Sequence, residues 1–501
     1  MRHKSVLVLL LSLVLQCLPL VAGAFSLDDV DREASQRAAQ PWKPSPAASG
    51  LPATYDAWRD LRFRRDRALW HKPQLAFEAQ FFPAGGSATQ TVDVLEIVDG
   101  QARPLRITRG DFVRGEANPA DDPTPAALAG VRLLNPLNQP DHFDEVISFI
   151  GASYFRALGA GQQYGSSARG LALDTTGGSP EEFPGFVRFW LERPDASAKS
   201  ATVYALLDSP RAAGAYRFDI RPGATTEVDV HARIHMRASV GTFGVAPLTS
   251  MFYSGENQPL QGDFRPEVHD ADGLQLATGD GEWLWRPLTR PRAPFVTSFA
   301  MRSLRGFGLM QRDRRFGSYE DLEAHYQRRP SVWVEPIGDW GPGRVELLQL
   351  PARTEIEDNI VAFWVPATAP RPGQAIDLAW RLHWSSDKAA GPPGGRVTQT
   401  RTGFGYRDKA MPEDHLQFHV DFSGERLAAL PPTSKLQALV SGNANARVLA
   451  TRTEPGAAAG DWRMTLDVQR MDPRQPLELR AFLRLGQETL TETWTYAQAP
   501  E

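Results

Sequence analysis

From Val228 onward, apolar Val230, Ala232, Ile234 and Met236 alternate with Asp229, His231, Arg233, His235 and Arg237, a period of two that predicts a strand with one dry and one wet face. Ile376, Leu378, Trp380, Leu382 and Trp384 repeat the pattern, as do Leu75, Phe77, Ala79 and Phe81. Half-wet strands in series pair antiparallel, so the chain reads as all-β, built from sandwiches or barrels. Three stretches break the rhythm. Tyr55, Trp58 and Leu61 recur at helical spacing, Asp141 to Leu158 joins periodic apolar residues to an acidic first turn, and Ser318 with Asp321 matches a capping box opening a helix through Tyr326. Residues 25–52, rich in alanine, serine and proline, predict an extended lead-in with a short helix at most.

Past Trp384, the run Ala389-Ala390-Gly391-Pro392-Pro393-Gly394-Gly395 holds breakers and no packing residue, so residues 388–396 are expected to link two domains. After it, alternating strands are predicted at Leu416 to Phe422, Trp462 to Val468, Leu477 to Leu483 and through Trp494. Roughly 100 residues of short, regularly spaced strands fit an immunoglobulin-like sandwich without its disulfide over 397–501. Residues 25–387 are then one domain, large for a single sandwich, and no internal repeat divides them.

The N-terminus is of another kind. Arg2, His3 and Lys4 precede an apolar run from Val6 to Leu15, and Ala22-Gly23-Ala24 ends the segment, the pattern of an export signal over residues 1–24. Gln16 and Pro19 interrupt the run before the ~20 apolar residues of a membrane span. Gln16, not a small residue, precedes Cys17, which argues against a lipoprotein, and no twin arginine is present. A periplasmic location is expected.

Composition narrows the chemistry. With 501 residues and 42% hydrophobic content, the chain can bury large cores. Its one cysteine, Cys17, leaves with the signal, which excludes a disulfide framework, thiolate metal sites and iron–sulfur clusters. The 55 basic and 59 acidic residues give a net charge of −4; losing Arg2 and Lys4 makes it −6, no footprint for nucleic acid. Gly159-Ala160-Gly161 meets Tyr164 where a dinucleotide fingerprint needs glycine, and Gly165-Ser166-Ser167-Ala168-Arg169 lacks the closing glycine of a nucleophile elbow. His231 with His235, and His415 with His419, share strand faces without an acidic third ligand, so no metal site is expected.

Two acidic clusters remain. Arg265-Pro266-Glu267-Val268-His269-Asp270-Ala271-Asp272-Gly273 is followed by Trp283 and Trp285, and Glu355-Ile356-Glu357-Asp358-Asn359 by Trp364. Hydrolysis of a glycosidic bond needs two flanking carboxyl groups, one protonated and one ionised, and aromatic rings can stack on sugar faces. The plainer reading is that Asp270, Asp272 and Asp358 cap turns.

These clusters also carry a resemblance. Together with Phe25-Ser26-Leu27-Asp28-Asp29-Val30, Gly151 to Arg156, Tyr164-Gly165, Ser167 to Ala172, Glu181-Glu182-Phe183-Pro184, Tyr204 to Arg211, Val245 to Phe252 and Leu490 to Trp494, they resemble the periplasmic glucan biosynthesis family OpgG/OpgD (MdoG/MdoD), over essentially the whole chain after residue 24. The absent twin arginine favours the G type. The resemblance implies a large galactose-mutarotase-like β-sandwich joined to a small immunoglobulin-like one. It implies action on the β-1,2-glucan backbone of osmoregulated periplasmic glucans, as an anomer-inverting glycoside hydrolase or a transglycosylase, without cofactor. By motif, Asp358 resembles the general acid and Asp270 the general base, with Tyr326 and Glu355 lining the same cleft. Glu355 and Glu357 are expected to raise Asp358, and Arg265 or His269 to keep Asp270 ionised. Arg169, Tyr164, Trp333, Trp283 and Trp364 are the further candidates for sugar contact. Partners implied are the glucan, the inner-membrane glucan synthase and a second copy of the chain, reached by a segment near Arg401 to His415. The competing reading is a glucan-binding or scaffold protein that uses the same cleft without turnover.

Overall fold

In strand Thr226–Met236 the alternation becomes burial: Val228, Val230, Ala232, Ile234 and Met236 are enclosed, while Glu227, Asp229, His231, Arg233 and His235 face outward. The computed structural model describes residues 24–44, 54–72, 74–86, 88–115, 122–386, 391–404 and 412–501. The export segment with Cys17, positions 388–390 of the expected linker and the middle of the Arg401 to His415 segment lie outside them. The fold is an all-β sandwich. One sheet of fifteen strands contains, as neighbours, Ala201–Asp208, Ala212–Arg221, Thr226–Met236, Ala375–Ser385, Ser331–Ile337, Leu304–Met310, Gly273–Thr278 and Trp283–Pro287. A second, of ten, includes Leu128–Gln139, His142–Ile150, Tyr154–Ala157, Ser167–Arg169, Phe243–Ser250, Ile360–Pro366 and Gly343–Gln349. Their inner faces meet ring on ring, Phe149 at 5.0 Å and Phe155 at 5.2 Å from Phe218. Burying each such ring stabilises the sandwich by about 1.5–3 kcal/mol.

Part of the outer face of the larger sheet is covered. Helix Leu27–Ala38 opens on a capping box of Ser26 and Asp29 and lays Val30 and Ala34 onto Trp190, Tyr204 and Ala215. Asp31 accepts from His235 at 2.7 Å, and Asp28 pairs with Arg233. Among the described residues no helix is long and apolar enough to cross a membrane.

Two expected helices are absent. Asp141 to Leu158 forms strands His142–Ile150 and Tyr154–Ala157, turned at Gly151 and Ala152, both with positive φ. β-branched Val146, Ile147 and Ile150 suit the pleat, and sandwich burial overrides the local helical spacing. Ser318 to Tyr326 is a loop between single 3-10 turns at Phe316–Ser318 and Tyr326–Arg328, because Ser318 turns to Asp313 and Asp321 accepts from the backbone of Glu323 and Ala324. The helical reading at Tyr55 holds for one turn, Tyr55–Arg59.

The C-terminal strands make a second, smaller sandwich. Arg396–Thr402, His415–Ser423, Trp462–Arg470 and Ala446–Pro455 form one sheet; Gln437–Gly442, Leu477–Leu485 and Thr493–Gln498 form the other. Thr493–Gln498 pairs in parallel with Trp283–Pro287, so the large sheet runs on into this second sandwich. Trp285, Met310 and Trp333 enter its core. At the seam the Arg312 guanidinium meets the buried Glu492 carboxylate through two contacts, 2.5 and 3.0 Å, lies 3.6 Å over Trp285 and donates to the carbonyl of Val397 at 2.7 Å. The amide of Val397 in turn donates to Glu492 at 2.8 Å.

Breaking a buried pair leaves a charge that neither water nor a partner relieves. Glu492→Ala should cost about 3–5 kcal/mol in urea unfolding. A loss no larger than the ~1 kcal/mol of an exposed pair would show that water reaches the seam.

Candidate functional site

Asp270 follows the two-residue strand Val268–His269, and Asp358 stands two residues before strand Ile360–Pro366. Their neighbours hold them in one place through a single phenylalanine. Asn359 accepts from the amide of Phe252 at 2.9 Å and donates to its carbonyl at 3.0 Å, while the Phe252 ring stacks on the imidazole of His269 at 5.5 Å and 10°. Phe252 also pairs with His269 across the strands Phe252–Ser254 and Val268–His269. The residue before one carboxylate and the residue after the other therefore grip the same residue, one by its ring and one by its backbone. Asp270 is pinned again by its amide, which donates to the carbonyl of Met251 at 2.9 Å.

Gln311 fixes the floor. Its amide nitrogen faces two carbonyls, those of His269 at 2.8 Å and Tyr326 at 3.2 Å, so its oxygen must accept from His269 Nδ1 at 2.8 Å. That settles a proton on Nδ1 by elimination.

Between the carboxylates lies a polar cleft of about 500 Å³, whose lining includes Tyr164, Asp270, Tyr326, Arg329, Glu355 and Asp358. Each acid has its own cation. Arg329 pairs with Asp270 and lies 4.2 Å over the Tyr326 ring, Arg156 reaches Asp358 at 3.4 Å, and Arg265 holds Glu355 at 2.7 Å. Asp270 is buried, whereas the Asp358 side chain is 37% exposed. Burial pushes the Asp270 carboxyl up; the Arg329 charge opposes this and the Asp358 charge adds to it, leaving the group above the usual aspartate range. Burial likewise raises the Tyr326 and Tyr164 phenols.

Of the residues singled out in the sequence, Asp270, Asp358, Glu355, Tyr326 and Tyr164 line this one cleft. Tyr164 contributes a wall, since its hydroxyl donates to Glu145. The other four do not line it. Arg169 is buried between the rings of Tyr154 and Phe183 and bonded to Thr249 and Glu181 at 2.9 and 2.8 Å. Trp364 has no exposed surface; a Cβ at Gly343 would fall 2.4 Å from its ring, so that glycine makes room for it in the core. Trp333 is packed over Gly306 in the same way and stacks on partly buried Trp283 at 5.8 Å beside the seam. On alternating strands these tryptophans took the inward positions.

Some partners differ from expectation. Arg265 serves Glu355, Asp321 and Asp263, and His269 turns away from the cleft, so the cation on Asp270 is Arg329. Arg329 was within sight, in the same Tyr-x-Arg-Arg-Pro stretch as Tyr326. Glu355 is taken up by Arg265, and Glu357 accepts from the amide of Arg353 at 2.9 Å. Asp272 accepts from the amides of Arg312 at 3.0 Å and Asp313 at 3.2 Å, so where a local turn was expected its side chain braces a distant segment. Arg156 and Phe252 lie in segments that carry the resemblance, but their roles, like that of Gln311, had no local signal, because each acts on a segment distant in sequence.

The family model described as "Periplasmic glucan biosynthesis protein, MdoG" matches residues 25–498. The chain is 47% identical to a glucans biosynthesis protein G from Ralstonia nicotianae, over 96% of this chain and 97% of the relative. It is 43% identical to the protein of that name from Pseudomonas paraeruginosa, over 94% and 92%, and 40% identical to that from Dickeya dadantii, over 97% and 95%. These relatives carry the G designation favoured above.

Arg329 supplies the largest force holding Asp270 down. Arg329→Met should therefore move the Asp270 titration upward, followed by carbon NMR of labelled aspartate. An unmoved titration would mean that Arg329 is solvated away from the carboxylate.

Proposed function

The chain belongs to the MdoG family of periplasmic glucan biosynthesis proteins, and from that premise we propose that it works in the periplasm on the β-1,2-glucan backbone of osmoregulated glucans, as an anomer-inverting glycoside hydrolase or transglycosylase. The observation that carries the reading is the convergence of Asp270, Tyr326 and the pair Glu355 and Asp358, from three separate segments, on one cleft lined mainly by polar groups. A ligand made of hydroxyls finds there both acceptors, the carboxylates, and donors, the guanidinium groups of Arg156, Arg265 and Arg329.

Inversion needs one carboxyl protonated and the other ionised. Two carboxyls facing one cleft take different protonation states only where their surroundings differ, as those of buried Asp270 and partly exposed Asp358 do. We assign Asp358 the proton donated to the leaving oxygen, and Asp270 the ionised role of drawing a proton from water or a sugar hydroxyl. In this structure burial favours the neutral form at Asp270, so the assignment asks two things of substrate binding. A glucose ring over partly exposed Asp358 excludes water from the carboxyl that is to donate, and Arg329 holds Asp270 as the anion. Water as acceptor gives hydrolysis; a sugar hydroxyl in the same place gives transglycosylation.

Wild-type protein incubated with linear β-1,2-glucan should yield shortened or rearranged chains; unchanged chain length with binding retained would establish the non-catalytic reading instead. Asp358→Asn should lower glucan cleavage by about 10²–10⁴-fold yet spare an aryl glycoside whose leaving group needs no acid. Asp270→Asn should lose both substrates, with azide restoring turnover. The opposite rescue pattern would exchange the two roles.

A further inference from the structure

Behind His269, on the side away from the cleft, the polar groups do not end. The Nε2 of His269 lies 2.8 Å from Glu267 Oε2, and both side chains are buried. The Glu267 carboxyl meets that of Glu256 within hydrogen-bonding range. Glu256 Oε1 then accepts from the backbone amide of Thr400 at 2.9 Å, on strand Arg396–Thr402 of the second sandwich. From the Tyr326 carbonyl the hydrogen bonds run through Gln311 and His269 to Glu267, another joins Glu256 to Thr400, and the two carboxyls meet between them.

Protons along this path can be counted. Gln311 requires one on His269 Nδ1, so the imidazole meets Glu267 either as a cation donating from Nε2 or as a neutral ring accepting from a protonated acid. The two carboxyls, Glu267 buried and Glu256 half-buried, are held within hydrogen-bonding range by sharing a proton, because two anions so placed repel. Half-buried Glu256 faces Glu267 and Thr400; Glu267 also faces Asp313, Asp272 and Arg401; Asp272 in turn faces Arg312, and Tyr319 packs edge-on to His269.

We propose that Glu256, Glu267, His269 and Gln311 form a proton-holding chain that positions the floor of the cleft against strand Arg396–Thr402 of the C-terminal sandwich. Its bearing on turnover rests on the reading of the cleft given above; its geometry does not. These are positioning residues: the chain holds the backbone at His269 and Tyr326, and so aims Asp270 and the Tyr326 ring. Burial pushes the carboxyls of both Glu256 and Glu267 up to about 8. The folded protein then keeps a proton that the unfolded chain has shed, so the stability from this pair falls as pH rises from the ordinary carboxylate range towards 8, and the shared hydrogen bond is lost above it.

Glu256→Gln isolates the proton. Its amide oxygen can accept from Thr400 and its nitrogen can donate to Glu267 at every pH. The test follows hydrogen-exchange protection of residues 396–402, corrected for intrinsic rate, and cleavage of linear β-1,2-glucan, from pH 6 to pH 9. Wild type should lose protection and turnover together above pH 8, on the order of tenfold per pH unit. Glu256→Gln should retain both with a flat profile, and Glu256→Ala should lack both throughout. A Glu256→Gln profile that follows wild type, a wild type without pH dependence, or an unaffected Glu256→Ala would overturn the proposal. Protection behaving as described with no protein acting on glucan would remove the functional reading and leave the positioning chain standing.

Discussion

The structure depends most on the buried pair between Arg312 and Glu492. Neither charge can be hydrated where it lies, so the two sandwiches have one relative position in which both are satisfied. Replaced by apolar groups of similar shape, the contact could be as stable; what the ions add is register. Arg312 stacks on Trp285, which belongs to the strand that pairs in parallel with Thr493–Gln498, so the ion pair and the sheet junction fix the same alignment. The amide of Arg312 also donates to Asp272, two residues from Asp270, and the alignment of the sandwiches thereby reaches the cleft.

Within that frame the cleft is a problem of holding charges of one sign together. Asp270, Asp358 and Glu355 share a small polar space, and each is answered by a separate arginine carried on a different segment. Phe252 contributes no charge, yet it ties the neighbours of both aspartates together through its backbone and its ring. Such spacing by one residue places the two aspartates through their neighbours and not by contact with each other.

Much of the sandwich was legible because alternation is a local property that burial confirms position by position, as in Thr226–Met236. The misread segments fail for different reasons: at Ser318 to Tyr326 the hydroxyl expected to cap a helix turns to Asp313 instead. In Asp141 to Leu158 the spacing of apolar residues satisfies a helix and a strand alike, and only the sheet beside it decides. The acids of the cleft were visible as clusters, and Tyr326 and Glu355 through the resemblance. Their partners were not, since Arg156 meets Asp358 and Gln311 meets His269 only through the fold. The tryptophans show the converse: Trp364 and Trp333 look like sugar platforms beside acidic clusters, but strand parity and the glycines opposite them place both in cores.

The central claim is that the space between Asp270 and Asp358 receives β-1,2-glucan. A crystal structure of Asp358→Asn protein soaked with linear β-1,2-glucan tests it most directly. The account predicts a glucan chain lying through the cleft, with a glycosidic oxygen at residue 358 and Asp270 on the opposite side of the same glucose. Glucan bound only elsewhere, for instance against Trp283 at the seam, would contradict it.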